Sequence, residues 1–153
     1  MTGRIDRAAR LIRATPAAIY AAFIDPVAYA TWLPPAGMSV SIARFEPHPG
    51  GAYRLTLRYA AGSEGKGKSS ADADTVDGHF VALVPGEQIV QTAMFESDDP
   101  AFAGTMRMSW ALTPAAGGTE VTITATDVPP GISAVDHATG LQSTLANLAA
   151  FVE

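Results

Sequence analysis

The chain has 153 residues, 48% of them hydrophobic and 16% charged, with a formal net charge of −5 and no cysteine. This is one domain's worth of sequence with enough apolar material for its own core, which excludes a disordered tail, while the acidic balance lacks the basic footprint of a nucleic-acid binder. The missing cysteine removes disulfides, thiolate metal sites and cysteine nucleophiles together.

Met1 to Arg13 alternates charged and apolar residues without a continuous apolar run. Neither a signal peptide nor a membrane span is expected, and a cytoplasmic location follows from that. Ala8 to Ala14 reads as a first strand, with Ala9, Leu11 and Arg13 on one face and Ile12 on the other. Thr15-Pro16 is a cap followed by proline at the first helical position, and Ile19, Tyr20 and Phe23 then recur at helical spacing up to Ile24. Asp25-Pro26 repeats the device and opens a second short helix through Trp32, closed by Leu33-Pro34-Pro35 and Gly37. Helices this short are marginal alone, so Phe23, Tyr29, Trp32 and Leu33 are expected to plug one end of a sheet.

From Met38 to Thr126 the period changes to two, in roughly six strand-like segments. Ser39 to Phe45 leads to a turn at Pro47-His48-Pro49-Gly50-Gly51, after which Tyr53, Leu55, Leu57 and Tyr59 alternate with Arg54, Thr56 and Arg58. Thr75 to Val84 turns at Pro85-Gly86 and returns as Gln88 to Glu96. Met106, Met108, Trp110 and Leu112 alternate with polar neighbours, and beyond Gly117-Gly118 so do Val121, Ile123 and Ala125. Around Phe80, Val81, Leu83, Val90, Met94 and Phe95 the alternation breaks, which predicts a bulge or burial on both faces. Ile132 to Glu153 reads as one long helix, capped by Ser133 with Asp136 and carrying Leu141, Leu145, Leu148 and Val152 as a single apolar stripe. The economical architecture is α+β, an antiparallel sheet with this helix across its apolar face.

Gly62, Gly67, Lys68 and Ser69 satisfy the phosphate-loop pattern, but they lead into a strand instead of opening a helix, so a hairpin loop is the better account. His48, His79 and His137 are too scattered for a helical metal pair. His48 belongs to a turn, His79 to a strand of undecided facing, and His137 to the first turn of the long helix, where it can look towards a cavity mouth. Glu96, Asp98, Asp99 and Asp127 include an ordinary acidic turn and no convincing carboxylate pair. No catalytic residue, metal or cofactor is expected. Gly140 inside the long helix costs roughly 1 kcal/mol against alanine, so either a packed neighbour or open space must explain it.

Several of these stretches, taken in order, resemble a known family. They are Thr15-Pro16, Asp25-Pro26 leading to Trp32 and Pro34-Pro35, Pro49-Gly50-Gly51, Gly78-His79-Phe80, Gly104 to Trp110, and Asp136-His137 with Gly140. The chain resembles the helix-grip fold of the SRPBCC superfamily, which includes START and Bet v 1-like proteins, and within it the Aha1-like domain related to the activator of the Hsp90 ATPase. The resemblance implies one domain over 1-153, a sheet of about seven strands curled around the C-terminal helix, and an apolar cavity between them. Cavity-lining residues are then expected among Trp32, Tyr53, Leu55, Tyr59, Phe80, Met94, Met106, Met108, Trp110, His137, Gly140, Leu141 and Leu145. Methionine adapts to varied apolar shapes, which favours a small hydrophobic or aromatic ligand bound without catalysis, or with only weak catalysis. The family's range leaves two alternatives, docking on an Hsp90 chaperone and a polyketide cyclase or dehydratase reaction in the same cavity. A second copy of the chain is a further partner to consider, whereas nucleic acid and membrane are not.

Overall fold

Side chains alternate across a strand and recur every 3.6 residues on a helix, and both periods are realised where the sequence carries them. The computed structural model describes residues 4–34, 38–59 and 73–153. Its elements run β1 (Ile5–Ile12), α1 (Pro16–Ile24), α2 (Pro26–Trp32), β2 (Met38–Phe45), β3 (Ala52–Tyr59), β4 (Ala73–Val84), β5 (Gln88–Phe95), β6 (Met106–Ala115), β7 (Gly118–Thr126) and α3 (Ala134–Val152). The strands form one seven-stranded sheet in the order β1-β7-β6-β5-β4-β3-β2, every neighbouring pair antiparallel. This is a meander from β2 to β7, to which β1 returns as the last edge strand.

The helices begin where side chains satisfy their first free amides. Thr15 accepts from the Ala18 amide at 3.2 Å, Asp25 from Val27 at 2.9 Å, and Ser133 from Asp136 at 3.0 Å. Leu141, Leu145 and Leu148 of the α3 stripe are buried, and Ile132, expected inside the helix, is buried just before it. Four side-chain ties hold α3 in place. His137 meets Asp6 of β1, Thr144 and Asn147 donate to the Leu33 and Pro34 carbonyls after α2, and Glu153 accepts from the Arg13 amide after β1. Extended close approach of the α3 backbone is to β1, α1 and α2. The interior layer between α3 and β2–β5 is therefore spanned by side chains.

The first strand differs from expectation. It runs from Ile5 to Ile12 and not from Ala8 to Ala14, while Ile12 and Leu11 fall on opposite faces as expected: Ala8 and Ile12 point inward and Leu11 is 48% exposed. Of the positions that share their parity, Asp6 is half-buried and Arg10 exposed, and both are polar, so local alternation does not say which face is inward. Pairing with β7 decides it, since Ala8 lies opposite the fully buried Ile123. In β4 and β5 the expected irregularity is a register shift between Phe80 and Ala82.

Candidate functional site

Antiparallel register places opposite residues on the same face, so the interior can be read strand by strand. Tyr53, Leu55 and Leu57 of β3 face inward opposite Gly78, Val76 and Asp74 of β4, with Tyr59 next at the same parity, and Met106, Met108 and Trp110 of β6 do so opposite Ala93, Gln91 and Ile89 of β5. At the end of this layer nearest α1 and α2 the rings pack on one another. Phe23 lies 4.8 Å from Trp32 and 4.9 Å from Trp110 between ring centres, and Phe80 lies 5.4 Å from Tyr53, with tilted or edge-on geometry throughout. Such pairs add roughly 0.5–1.5 kcal/mol each beyond area burial. Of the expected cavity residues, Trp32, Phe80 and Trp110 are thus parts of a solid aromatic plug.

The plug contains a polar group that local reading passed over. Gln91 is 2% exposed, accepts from Trp110 Nε1 and donates to the Tyr29 hydroxyl, both at 3.3 Å. Burial, partly offset by that bond from Gln91, pushes the Tyr29 phenol up to about 12. The signal was one of parity, because Gln91 shares its face with Ile89 and Ala93.

The opposite end of the layer is more open. Here β3, β5 and β7 end, β1, β4 and β6 begin, and the N-terminus of α3 lies over them. Leu57, Tyr59, Phe95 and Met108 face inward yet are only half-buried, while Leu55, Met106, Leu141 and Leu145 close the wall behind them. The Tyr59 hydroxyl donates to the buried Asp74 carboxylate at 3.1 Å. Burial, the charge of Asp74 and the bond to it, together with the charge of Asp136 on α3, push the Tyr59 phenol up to about 12. Asp136 is exposed in the first turn of α3, and Gly140, one helical turn later, lies on the same side of the helix and is half-buried. A Cβ built on Gly140 meets nothing within 4 Å, so the residue borders open space and not a packed neighbour such as Trp110.

His137 stands beside Gly140 and points down to the sheet. Its Nδ1 lies 2.6 Å from Oδ2 of Asp6, and the same oxygen accepts from Arg4 Nη2 at 3.0 Å. Both side chains of the His137–Asp6 pair are mostly buried. Burial acts to raise the Asp6 carboxyl, but the bonds from His137 and Arg4 outweigh it and hold the group below its ordinary value. Asp6 and Asp74 were both missed from sequence, although each shares inward parity with apolar neighbours, Ala8 and Val76.

Met94 is a correction. It pairs with Asp77 on the outer face and is 51% exposed, while its neighbour Phe95 turns inward opposite Val76. It lines a shallow outer hollow of about 250 Å³ together with His79 and Arg54, and Gly78 and Tyr53 form part of its lining. His79 and His48 are exposed. Asp99 caps the 3-10 turn Pro100–Phe102 through the Ala101 amide, and Glu96 pairs with Arg54, so neither belongs to a carboxylate pair. The phosphate-loop pattern of Gly62, Gly67, Lys68 and Ser69 lies outside the described residues, as do Pro35 and Gly37. Among the described residues no helix is long and apolar enough to cross a membrane.

A family model described as Activator of Hsp90 ATPase homolog 1-like protein matches residues 13–153. The chain is 32% identical to a protein of known crystal structure from Chromobacterium violaceum, with a TM-score of 0.86 over 97% of this chain and 96% of that one. An AHSA1 protein from Silicibacter pomeroyi is 17% identical, with a TM-score of 0.77 over 96% of each chain. An AHSA1-like protein from Aeromonas hydrophila is 17% identical, with a TM-score of 0.72 over 97% of this chain and 92% of that one. At those two lower identities the likeness is one of fold alone. No curated protein matches the chain.

Proposed function

Because the chain belongs to the family of Activator of Hsp90 ATPase homolog 1-like proteins, whose fold is a ligand-binding type, we propose that it binds a small hydrophobic or aromatic molecule between its sheet and α3. The observation that carries this reading is the open space beside the half-buried Gly140, one helical turn before the buried Thr144 of α3. Inward apolar side chains that stay half-buried, Leu57, Phe95 and Met108, support it, because an apolar occupant removes their surface from water. The aromatic plug supplies the rigid far wall and the adaptable Met106 and Met108 the near one.

Native mass spectrometry of the protein as purified tests the reading without assuming a ligand. A co-purifying small mass, or saturable uptake of a neutral apolar fluorescent probe by protein stripped of it, is the expected result. Failure of both in folded protein overturns the reading. Docking on an Hsp90-type chaperone is a second reading, favoured by the family's description, and retention of a purified Hsp90 on the immobilised chain is its test.

A further inference from the structure

The entrance to the proposed cavity carries one polar group whose hydrogen-bonding sense is set by its neighbours. Asp6 is a carboxylate held in the ionised state, so it accepts only, and the 2.6 Å contact requires His137 Nδ1 to carry the proton. In the neutral ring Nε2 is then an acceptor. Nε2 makes no hydrogen bond among the described residues, and the one buried side-chain nitrogen left without a partner among them is Nε of Arg4, so Nε2 keeps access to solvent. The ring is held at its Nδ1 edge and by its attachment to the helix. Asp6 holds one edge, Arg4 fixes Asp6 through the same oxygen, and α3 holds the Cα, while the space beside Gly140, three residues along the helix, is open.

We infer that His137 Nε2 is the polar anchor of this cavity, accepting a hydrogen bond from the donor group of a largely apolar ligand, so that the ligand class is a phenol, enol or other hydroxylated aromatic molecule. The inference rests on the ligand-binding reading above and adds to it the chemistry of one end of the ligand. An ionised partner on Nδ1–H adds electron density to the ring and so strengthens Nε2 as an acceptor, as carboxylates do for metal-binding histidines. The other charged and titratable groups named at this end are Asp136, exposed and next to His137 on α3, and the Tyr59–Asp74 pair. His137 is a binding residue here, with no bond made or broken.

The test compares β-naphthol with its methyl ether, and phenol with anisole, which differ in the donor and little in apolar surface. Binding is followed by nuclear magnetic resonance titration at about pH 8, above the ordinary histidine range. Wild type should prefer each hydroxyl compound by about five- to tenfold, the ratio expected for one hydrogen bond. His137→Leu should bind both members of a pair alike, and Asp6→Asn should show a reduced preference. Ring 15N shifts of His137 in unliganded wild type should report the Nδ1–H tautomer, a readout that does not depend on either variant folding. Equal binding of the paired compounds by wild type, a preference retained in His137→Leu, or an Nε2–H tautomer overturns the inference while leaving the cavity reading standing. Binding of none of the compounds by wild type overturns both.

Discussion

The Tyr53 hydroxyl donates a 2.6 Å hydrogen bond to the main-chain carbonyl of Thr92, two strands away, and its ring crosses the intervening strand over Gly78. The sheet makes room for this. The His79 amide takes the Thr92 hydroxyl as acceptor at 3.0 Å, and the ladder between β4 and β5 is irregular just beyond, at Phe80. A Cβ on Gly78 would collide with the Thr92 carbonyl and come within 2.6 Å of the Tyr53 ring.

Gly78→Ala should therefore destabilise by about 1–3 kcal/mol, the usual cost of overpacking, even though alanine suits a strand better than glycine does. Tyr53→Phe should cost about 1 kcal/mol by leaving the carbonyl without that donor. Urea denaturation measures both. A Gly78→Ala variant as stable as wild type would show that the Tyr53 ring can move aside freely.

Gln91→Leu removes the acceptor of Trp110 Nε1 and the donor to Tyr29 inside the aromatic plug. Leaving a buried indole N–H unpaired should cost roughly 1–3 kcal/mol, and the tryptophan emission should shift as its partner is lost. Unchanged stability and an unchanged spectrum together would mean that the polar pair contributes nothing there.

Gly140→Leu should keep or raise the melting temperature, because the new side chain enters open space and glycine costs a helix about 1 kcal/mol. The same leucine should reduce uptake of an apolar fluorescent probe. A variant that takes up the probe as well as wild type does would separate Gly140 from the ligand site.

Three carboxyls should make stability fall in acid. Asp6 is held low by His137 and Arg4 against its burial, Glu46 chiefly by the Ala52 amide, and Glu153 chiefly by the Arg13 amide. Each sits below its ordinary value in the folded chain, so the unfolded chain binds more protons in acid. Their contribution is complete above the unfolded carboxyl range, about pH 4, and is lost as pH falls through the folded values. Urea midpoints measured against pH should fall less steeply in acid for Asp6→Asn than for wild type. Equal slopes would remove Asp6 from this linkage.

Sequence by itself determined whatever depends on neighbours along the chain. Thr15, Asp25 and Ser133 cap their helices because a cap bonds to an amide two or three residues on. β3, β6 and β7 were legible because each has one buried face and so alternates cleanly. Only tertiary structure decided the rest. The facing of β1 follows from pairing with β7, since Asp6 and Arg10, at the same parity as Ala8 and Ile12, carry no apolar signal. The outward turn of Met94 follows from its register with Asp77, because two adjacent apolar residues cannot both face inward. His137 was visible as a residue near an opening, but Asp6, which orients its ring, lies 131 residues away. A carboxylate in an edge strand becomes part of a site only when the sheet brings it under the helix. Periodicity and capping are local and are written in consecutive residues, whereas register and side-chain partnership depend on which distant strands meet.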